Sequence, residues 1–207
     1  MKITRCANAG VLLELNGVSL LLDGVCAPLH PYLGTPESFK EQLKANLPDI
    51  VCFTHRHPDH YDGEFESFYE EKTGRKVVKP LNSQTISVSD VTVEAVETRH
   101  IGRFTVSHVS FVITGNKTLW FLGDASPLDL RNFASYKKPD VILAPYVYAN
   151  TDFSFSSLKK IGAEKIILLH MPDKNDDPYN LFQQVESVIN GDETVIIPEM
   201  GQALILD

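Results

Sequence analysis

Thr54-His55-Arg56-His57-Pro58-Asp59-His60-Tyr61-Asp62 gathers three imidazoles and a carboxylate within six positions. Neutral imidazole is a good ligand for zinc and related divalent ions, and a carboxylate adds a hard anionic oxygen. Without a cation, each of these groups would need its own hydrogen-bond partner once buried. In extended backbone alternate side chains share a face, so His55 and His57 can reach one ion. Pro58 cannot continue a strand ladder and marks a turn. Asp59 and His60 leave that turn in another direction, so two adjacent ions suit the four groups better than one. A polar loop with surface histidines is the ordinary alternative, and the density and order of the cluster argue against it.

The elements that must position this loop are legible on either side. Ile50-Val51-Cys52-Phe53 is an apolar run that reads as a buried strand within 49–53. Upstream, 2–15 reads as one long or two short strands broken near Asn8-Ala9-Gly10. Asn16-Gly17 is a hairpin signal joining it to Val18–Asp23. A helix opens at Thr35-Pro36-Glu37, with Thr35 expected as its cap, and runs to about Ala45. A second, Asp62 to about Thr73, is closed by Gly74. Strands are expected at 77–78, 85–88, 91–96, 104–113, 118–122, 141–144 and 165–169, with helices at 127–134, 155–161 (Ser154 as cap) and 178–189. Two closing strands, 193–197 and 202–206, are expected to pair around Pro198-Glu199-Met200-Gly201.

His55-x-His57-x-Asp59-His60 resembles the signature of the metallo-β-lactamase superfamily of metal-dependent hydrolases. That family carries three further ligands, a His, an Asp and a His, each past a strand end. His100, Asp124 (in Gly123-Asp124) and His170 stand at such places and in that order. The resemblance covers essentially all of 1–207 as a single domain. It implies an α/β fold, an αββα sandwich of two mixed β-sheets with outer helices. It also implies that His55, His57 and His100 hold one metal and Asp59, His60 and His170 the other, with Asp124 between them. Two such ions activate a shared water as hydroxide near neutral pH, and Asp59 is the candidate catalytic residue that orients it or takes its proton. Zn2+ suits the ligand set best, with Mn2+ or Fe2+ as alternatives. The Asp59-His60 pair is similar to the hydrolase branch rather than to diiron redox relatives.

Other residues have weaker claims. Asp23 ends a strand at the expected floor of the site and is either a partner for a metal-bound imidazole or a plain turn residue. His30, Tyr146 and Tyr148 are candidate substrate contacts, against surface exposure for His30 and wall packing for the tyrosines. His108 is the runner-up metal ligand, against a half-buried place in a strand.

Composition narrows the function classes. With 43% hydrophobic and 22% charged residues the chain is an ordinary globular one. No apolar run approaches 18 residues, so no membrane contact is expected, and no signal-peptide pattern opens the sequence. Cys6, Cys26 and Cys52 are scattered and read as reduced core residues of a cytoplasmic protein. A net charge of −8, with no basic cluster beyond Lys137-Lys138 and Lys159-Lys160, which read as solvated surface, argues against nucleic-acid partners. The reading is a hydrolase of a small-molecule ester, lactone or phosphodiester. A nucleic-acid phosphodiesterase, which would show salt-dependent oligonucleotide binding, and a non-catalytic metal-binding protein are the alternatives.

Overall fold

The computed structural model describes residues 1–80, 85–102 and 105–206. Along the chain run β1 (Lys2–Arg5), β2 (Val11–Leu15), β3 (Val18–Leu22), α1 (Glu37–Ala45), β4 (Ile50–Cys52), α2 (Gly63–Thr73), β5 (Ile86–Val88) and β6 (Val91–Arg99). Then follow β7 (Ser107–Thr114), β8 (Thr118–Phe121), β9 (Val141–Pro145), α3 (Asp152–Lys159), β10 (Lys165–Leu169), α4 (Leu181–Ile189), β11 (Val195–Ile196) and β12 (Ala203–Ile205). Short 3-10 helices occupy Pro127–Phe133 and Tyr146–Ala149.

Period-2 patterning decides which face of each strand looks inward. Val11, Leu13 and Leu15, Leu20 and Leu22, and Ile50 and Cys52 line the inner face of one sheet, in the order β12-β1-β2-β3-β4. Phe111 and Ile113, Leu119 and Phe121, and Leu143, Ile167 and Leu169 line the facing side of the other, in the order β11-β10-β9-β8-β7-β6-β5. Most intervening residues, among them Leu21, Val51, Val112, Trp120 and Leu168, are apolar too, which is the mark of strands covered on both faces; the exposed Glu14 of β2 is an exception. Leu21, Val51 and Phe53 pack under Leu43 of α1 and Phe65 and Tyr69 of α2. Trp120, Ile142, Ala144, Ile166 and Leu168 pack with Leu158 of α3 and Leu181 and Val185 of α4. Both sheets are mixed: β3 and β4 pair in parallel, as do β8, β9 and β10, while the remaining neighbours except β10 and β11 are antiparallel. The result is the expected αββα sandwich.

Local signals explain most boundaries. Asn16 and Gly17 take φ values of 51° and 76°, as a two-residue hairpin loop requires. Asp62 caps α2 by accepting from the backbone N–H groups of Glu64 and Phe65, and Gly74 ends it in the left-handed region. Because both cap bonds are lost with the carboxylate, Asp62→Ala is expected to cost about 1 kcal/mol; a lowered urea midpoint with an unchanged slope checks this.

Several expectations are corrected. Thr35 does not cap α1: its hydroxyl is buried, bonded to Gly24 O and Cys26 N, and Pro36 takes the cap position without a side-chain bond. α3 starts earlier than expected, capped by Thr151, whose hydroxyl accepts from Ser154 N. α4 begins at Leu181, after Asn180 turns at φ 54°. Val78 makes a single parallel bridge to Cys52 rather than a strand. The two closing strands do not pair with each other: β11 lies on β10 of one sheet and β12 on β1 of the other. The segment between them crosses the sandwich. The expected strand over 104–113 is β7, and Phe104 lies outside the described residues.

Candidate metal centre

β3, β4, β6, β8 and β10 all deliver residues from their C-terminal ends to one rim of the sandwich. His55, His57 and His100 form one group, and Asp59, His60 and His170 a second, each with its ligand atoms within 4.8 Å of one another. Asp124 lies between the groups. Its Oδ2 is 3.5 Å from His100 Nε2, 3.5 Å from His60 Nε2 and 3.6 Å from His170 Nε2. A third grouping, Asp23 with His55 and His60, overlaps these. Asp23, however, is already committed to other donors.

Those donors fix the imidazole tautomers. Asp23 is fully buried and accepts from Thr54 N at 2.7 Å, Thr54 Oγ1 at 2.6 Å and His60 Nδ1 at 2.8 Å. The Thr54 hydroxyl already donates its one hydrogen bond to Asp23, so at 3.0 Å it can only accept from His55 Nδ1. His100 Nδ1 donates to Ile101 O at 2.6 Å. In all three imidazoles Nδ1 is therefore the nitrogen that donates outward, and Nε2 faces the cluster. Orienting a ligand through its other ring nitrogen is how metal sites hold histidine. His57 approaches through Nδ1, 3.0 Å from His55 Nε2. His170 points Nε2 at Asp59 Oδ2, 3.3 Å away, from a strained φ of 61°.

The donor set passes a test of fit. His60 Nε2, His100 Nε2 and Asp124 Oδ1 are buried atoms with no hydrogen-bond partner among the described residues. Each such atom costs about 1–3 kcal/mol if nothing satisfies it. Burial holds His55 and His57 below the ordinary imidazole range, so they stay neutral and able to ligate. Burial would also lower His60, yet Asp124 and Asp23 on either side raise it well above the usual value. Burial opposes ionisation of Asp124, but His170 and His60 keep it well below the carboxylate range. The field thus calls for positive charge where His60 and Asp124 meet, and a divalent ion satisfies both.

Around the cluster, Tyr32, Ile101, Pro145, Tyr146 and Val147 join His100, Asp124 and His170 in a cleft of about 170 Å3. The Tyr32 ring meets His170 edge-on at 4.4 Å, and its hydroxyl lies 3.3 Å from that of Tyr146. Tyr146 is where the sequence places it, at the cleft. Two other expectations are corrected. Tyr148 is fully buried and donates to Ala125 O at 3.0 Å, because with about three residues per 3-10 turn it leaves from a different side than Tyr146. His30 is exposed and paired with Asp176 at 3.1 Å, away from the cleft. Tyr32, two positions on in the same loop, takes the place expected of it. Asn8 is a second residue that sequence reading missed: it is buried beside the site and donates to Asp59 Oδ2 at 3.2 Å. His108 lies behind the cluster, with both ring nitrogens occupied.

His100 is held in turn by its neighbours. Arg99 N donates to Asp129 Oδ2 at 2.6 Å and the Arg99 guanidinium grips the same carboxylate, while Ser126 N and Ile101 N bond to Arg99 O and Asp124 O. Burial would raise the Asp129 carboxyl, but the bonds from Arg99 lower it. A folded-state value below the unfolded one means this contribution is present above about pH 4 and fades as pH falls through the lower folded value. Asp129→Asn is expected to cost about 2 kcal/mol at pH 7, and less as the pH is lowered. Denaturant midpoints at pH 7 and pH 3 check both parts.

Comparison with known proteins agrees with this fold. Residues 2–170 match the family model described as beta-lactamase superfamily domain. A UPF0173 metal-dependent hydrolase from Methanopyrus kandleri is 24% identical over 236 residues, spanning 98% of this chain and 99% of its own. Among solved structures, a possible metal-dependent hydrolase from Veillonella parvula superposes with a TM-score of 0.73 at 17% identity, over 100% of this chain and 99% of that one. An isothiocyanate hydrolase from Delia radicum gut bacteria does so at 0.69 and 16%, again over 100% and 99%.

Proposed function

We propose a reaction for a chain that belongs to the beta-lactamase superfamily and is one of its metal-dependent hydrolases: cleavage of a small-molecule ester, lactone or phosphodiester at a dinuclear centre, with zinc as the fitting metal. One observation carries the reading: Asp124 Oδ2 lies within 3.6 Å of imidazoles from both candidate ligand groups, while His60 Nε2, His100 Nε2 and Asp124 Oδ1 have no hydrogen-bond partner among the described residues. His55, His57 and His100 would hold one ion, Asp59, His60 and His170 the other, and Asp124 both. Bound there, the ions supply an acidified water and polarise the electrophile's oxygen.

The chain's own groups do the rest. Burial would raise the Asp59 carboxyl, but His170 and His60 hold it below its usual range, so it is ionised at neutral pH and able to take or steer the proton of the attacking water. Asn8 fixes its rotamer. Burial and the bond to Tyr146 push the Tyr32 phenol up, so it remains a donor. The Tyr32-Tyr146 pair can then hydrogen-bond a substrate oxygen at the mouth of the cleft. A cleft of about 170 Å3 suits a small substrate. Three buried, free cysteines suit a cytoplasmic setting, and among the described residues no helix is long and apolar enough to cross a membrane.

Turnover of bis-p-nitrophenyl phosphate, a p-nitrophenyl ester and a simple lactone tests the proposal, with chelator-treated protein and Asp59→Ala as controls. Hydrolysis of at least one, lost in both controls, is the expected result. Activity on phosphorus or on carbon assigns the electrophile. No turnover of any of them by zinc-loaded protein would contradict it.

A further inference from the structure

His108 takes no part in either ligand group, yet it is buried and bonded through both nitrogens. Asp124 N donates to His108 Nε2 at 3.0 Å. A backbone N–H can only donate, so Nε2 carries the lone pair and Nδ1 the proton. Nδ1 then donates to Thr98 Oγ1 at 2.8 Å. The Thr98 hydroxyl, having accepted, is free to donate to Ser110 Oγ at 3.1 Å. Ser110 donates to Leu122 O at 2.9 Å. Every donor in this series finds an acceptor, and the series returns to where it began: Leu122-Gly123-Asp124 is one turn at the end of β8.

The circuit draws on two strands besides that turn. Thr98 on β6 sits directly across from His108 on β7, and Ser110 follows two positions along β7 on the same face. Within the turn Ala125 N donates to Leu122 O and Ile101 N holds Asp124 O, so among the described residues the Asp124 amide is the group that His108 alone satisfies.

We infer that His108 is a positioning residue for Asp124: its Nδ1-protonated imidazole, oriented by Thr98 and Ser110, clamps the backbone of the carboxylate that spans both ligand groups. The inference rests on the metal reading of Asp124. Loss of the clamp leaves the Asp124 amide without a partner and lets the carboxylate drift from the point between His60 and His100.

The test is zinc affinity of the whole chain, by competition with a chromophoric chelator, for wild type, His108→Leu, His108→Gln and Thr98→Val. His108→Leu should weaken zinc binding about 10–100-fold, the range typical of groups that orient a ligand. His108→Gln should recover most of that loss, because its carbonyl can accept from Asp124 N and its amide can donate to Thr98. Thr98→Val, which touches no ligand, should also weaken binding. Long-range proton–nitrogen NMR of metal-free wild type should place the His108 proton on Nδ1; this needs no variant and holds if His108→Leu does not fold. A proton on Nε2, or leucine and glutamine variants that bind zinc equally well or equally poorly, would overturn the inference alone. A wild type that binds no zinc would overturn the metal reading and this inference with it.

Discussion

Asp124→Ala is expected to lose zinc affinity by more than the roughly 10–100-fold typical of an outer partner, and to lose hydrolytic turnover with it. Asp124 is the carboxylate within 3.6 Å of imidazoles from both ligand groups. Without it, His55, His57 and His100 are no longer joined to Asp59, His60 and His170. The metal-free protein should lose stability as well: burial opposes the Asp124 charge, but His170 and His60 hold its carboxyl well below the usual range, and Asp124 in turn raises His60, so truncation takes from His60 one of the two carboxylates that face it. Thermal unfolding in excess chelator should therefore place Asp124→Ala below wild type, while added zinc should raise the wild-type midpoint and move the variant's far less. Asp124→Asn, which keeps the shape and the backbone bond to His108 but not the charge, should fall between. A variant that binds zinc like wild type would show that Asp124 does not join the two groups.

Gly123→Ala is the second large effect. The residue sits at a φ of 53°, and a Cβ there would stand 2.5 Å from Thr54 Cγ2 and 2.8 Å from Thr54 Oγ1. Thr54 cannot turn away, because its hydroxyl and amide are both bonded to Asp23. Left-handed backbone costs an alanine about 1–2 kcal/mol and the overlap about 1–3 more, so a destabilisation on the order of 3 kcal/mol is expected. Gly74→Ala is the control: its φ is 70°, but nothing lies within 4 Å of the new Cβ. Only the conformational cost should appear there. Denaturant midpoints for the pair separate the two contributions; equal losses would show that Thr54 yields freely. Zinc affinity should fall in Gly123→Ala alone, since Thr54 and Asp23 set the tautomers of His55 and His60.

The seven positions that converge on the rim were readable because each stands past an apolar strand and the strands alternate with period 2. Ligands on strand ends need only the strands to be found. The residues that sequence reading missed depend on contacts between distant segments. Asn8 looks like a break between two strands, and only folding brings its amide to Asp59. His108 is singled out by the sequence as a runner-up ligand or a half-buried strand residue, but its partner Asp124 N becomes visible only once β8 is laid beside β7. Tyr146 and Tyr148 are equivalent as sequence, but a 3-10 turn exposes one to the cleft and buries the other. The loop histidine His30 drew attention by its chemistry, while the loop's path delivers Tyr32. At the chain's last strands, two short apolar segments joined by a turn suggested a hairpin. Pairing was decided instead by which sheet edge each could reach.

The most direct test of the account is elemental analysis of metal per chain after reconstitution with zinc and removal of the excess. Wild type should hold two ions per chain, and substitution of His57 or of Asp59 by alanine should each remove one while leaving the other. One ion or none in wild type, or two ions retained in both variants, would contradict a dinuclear centre built from these residues.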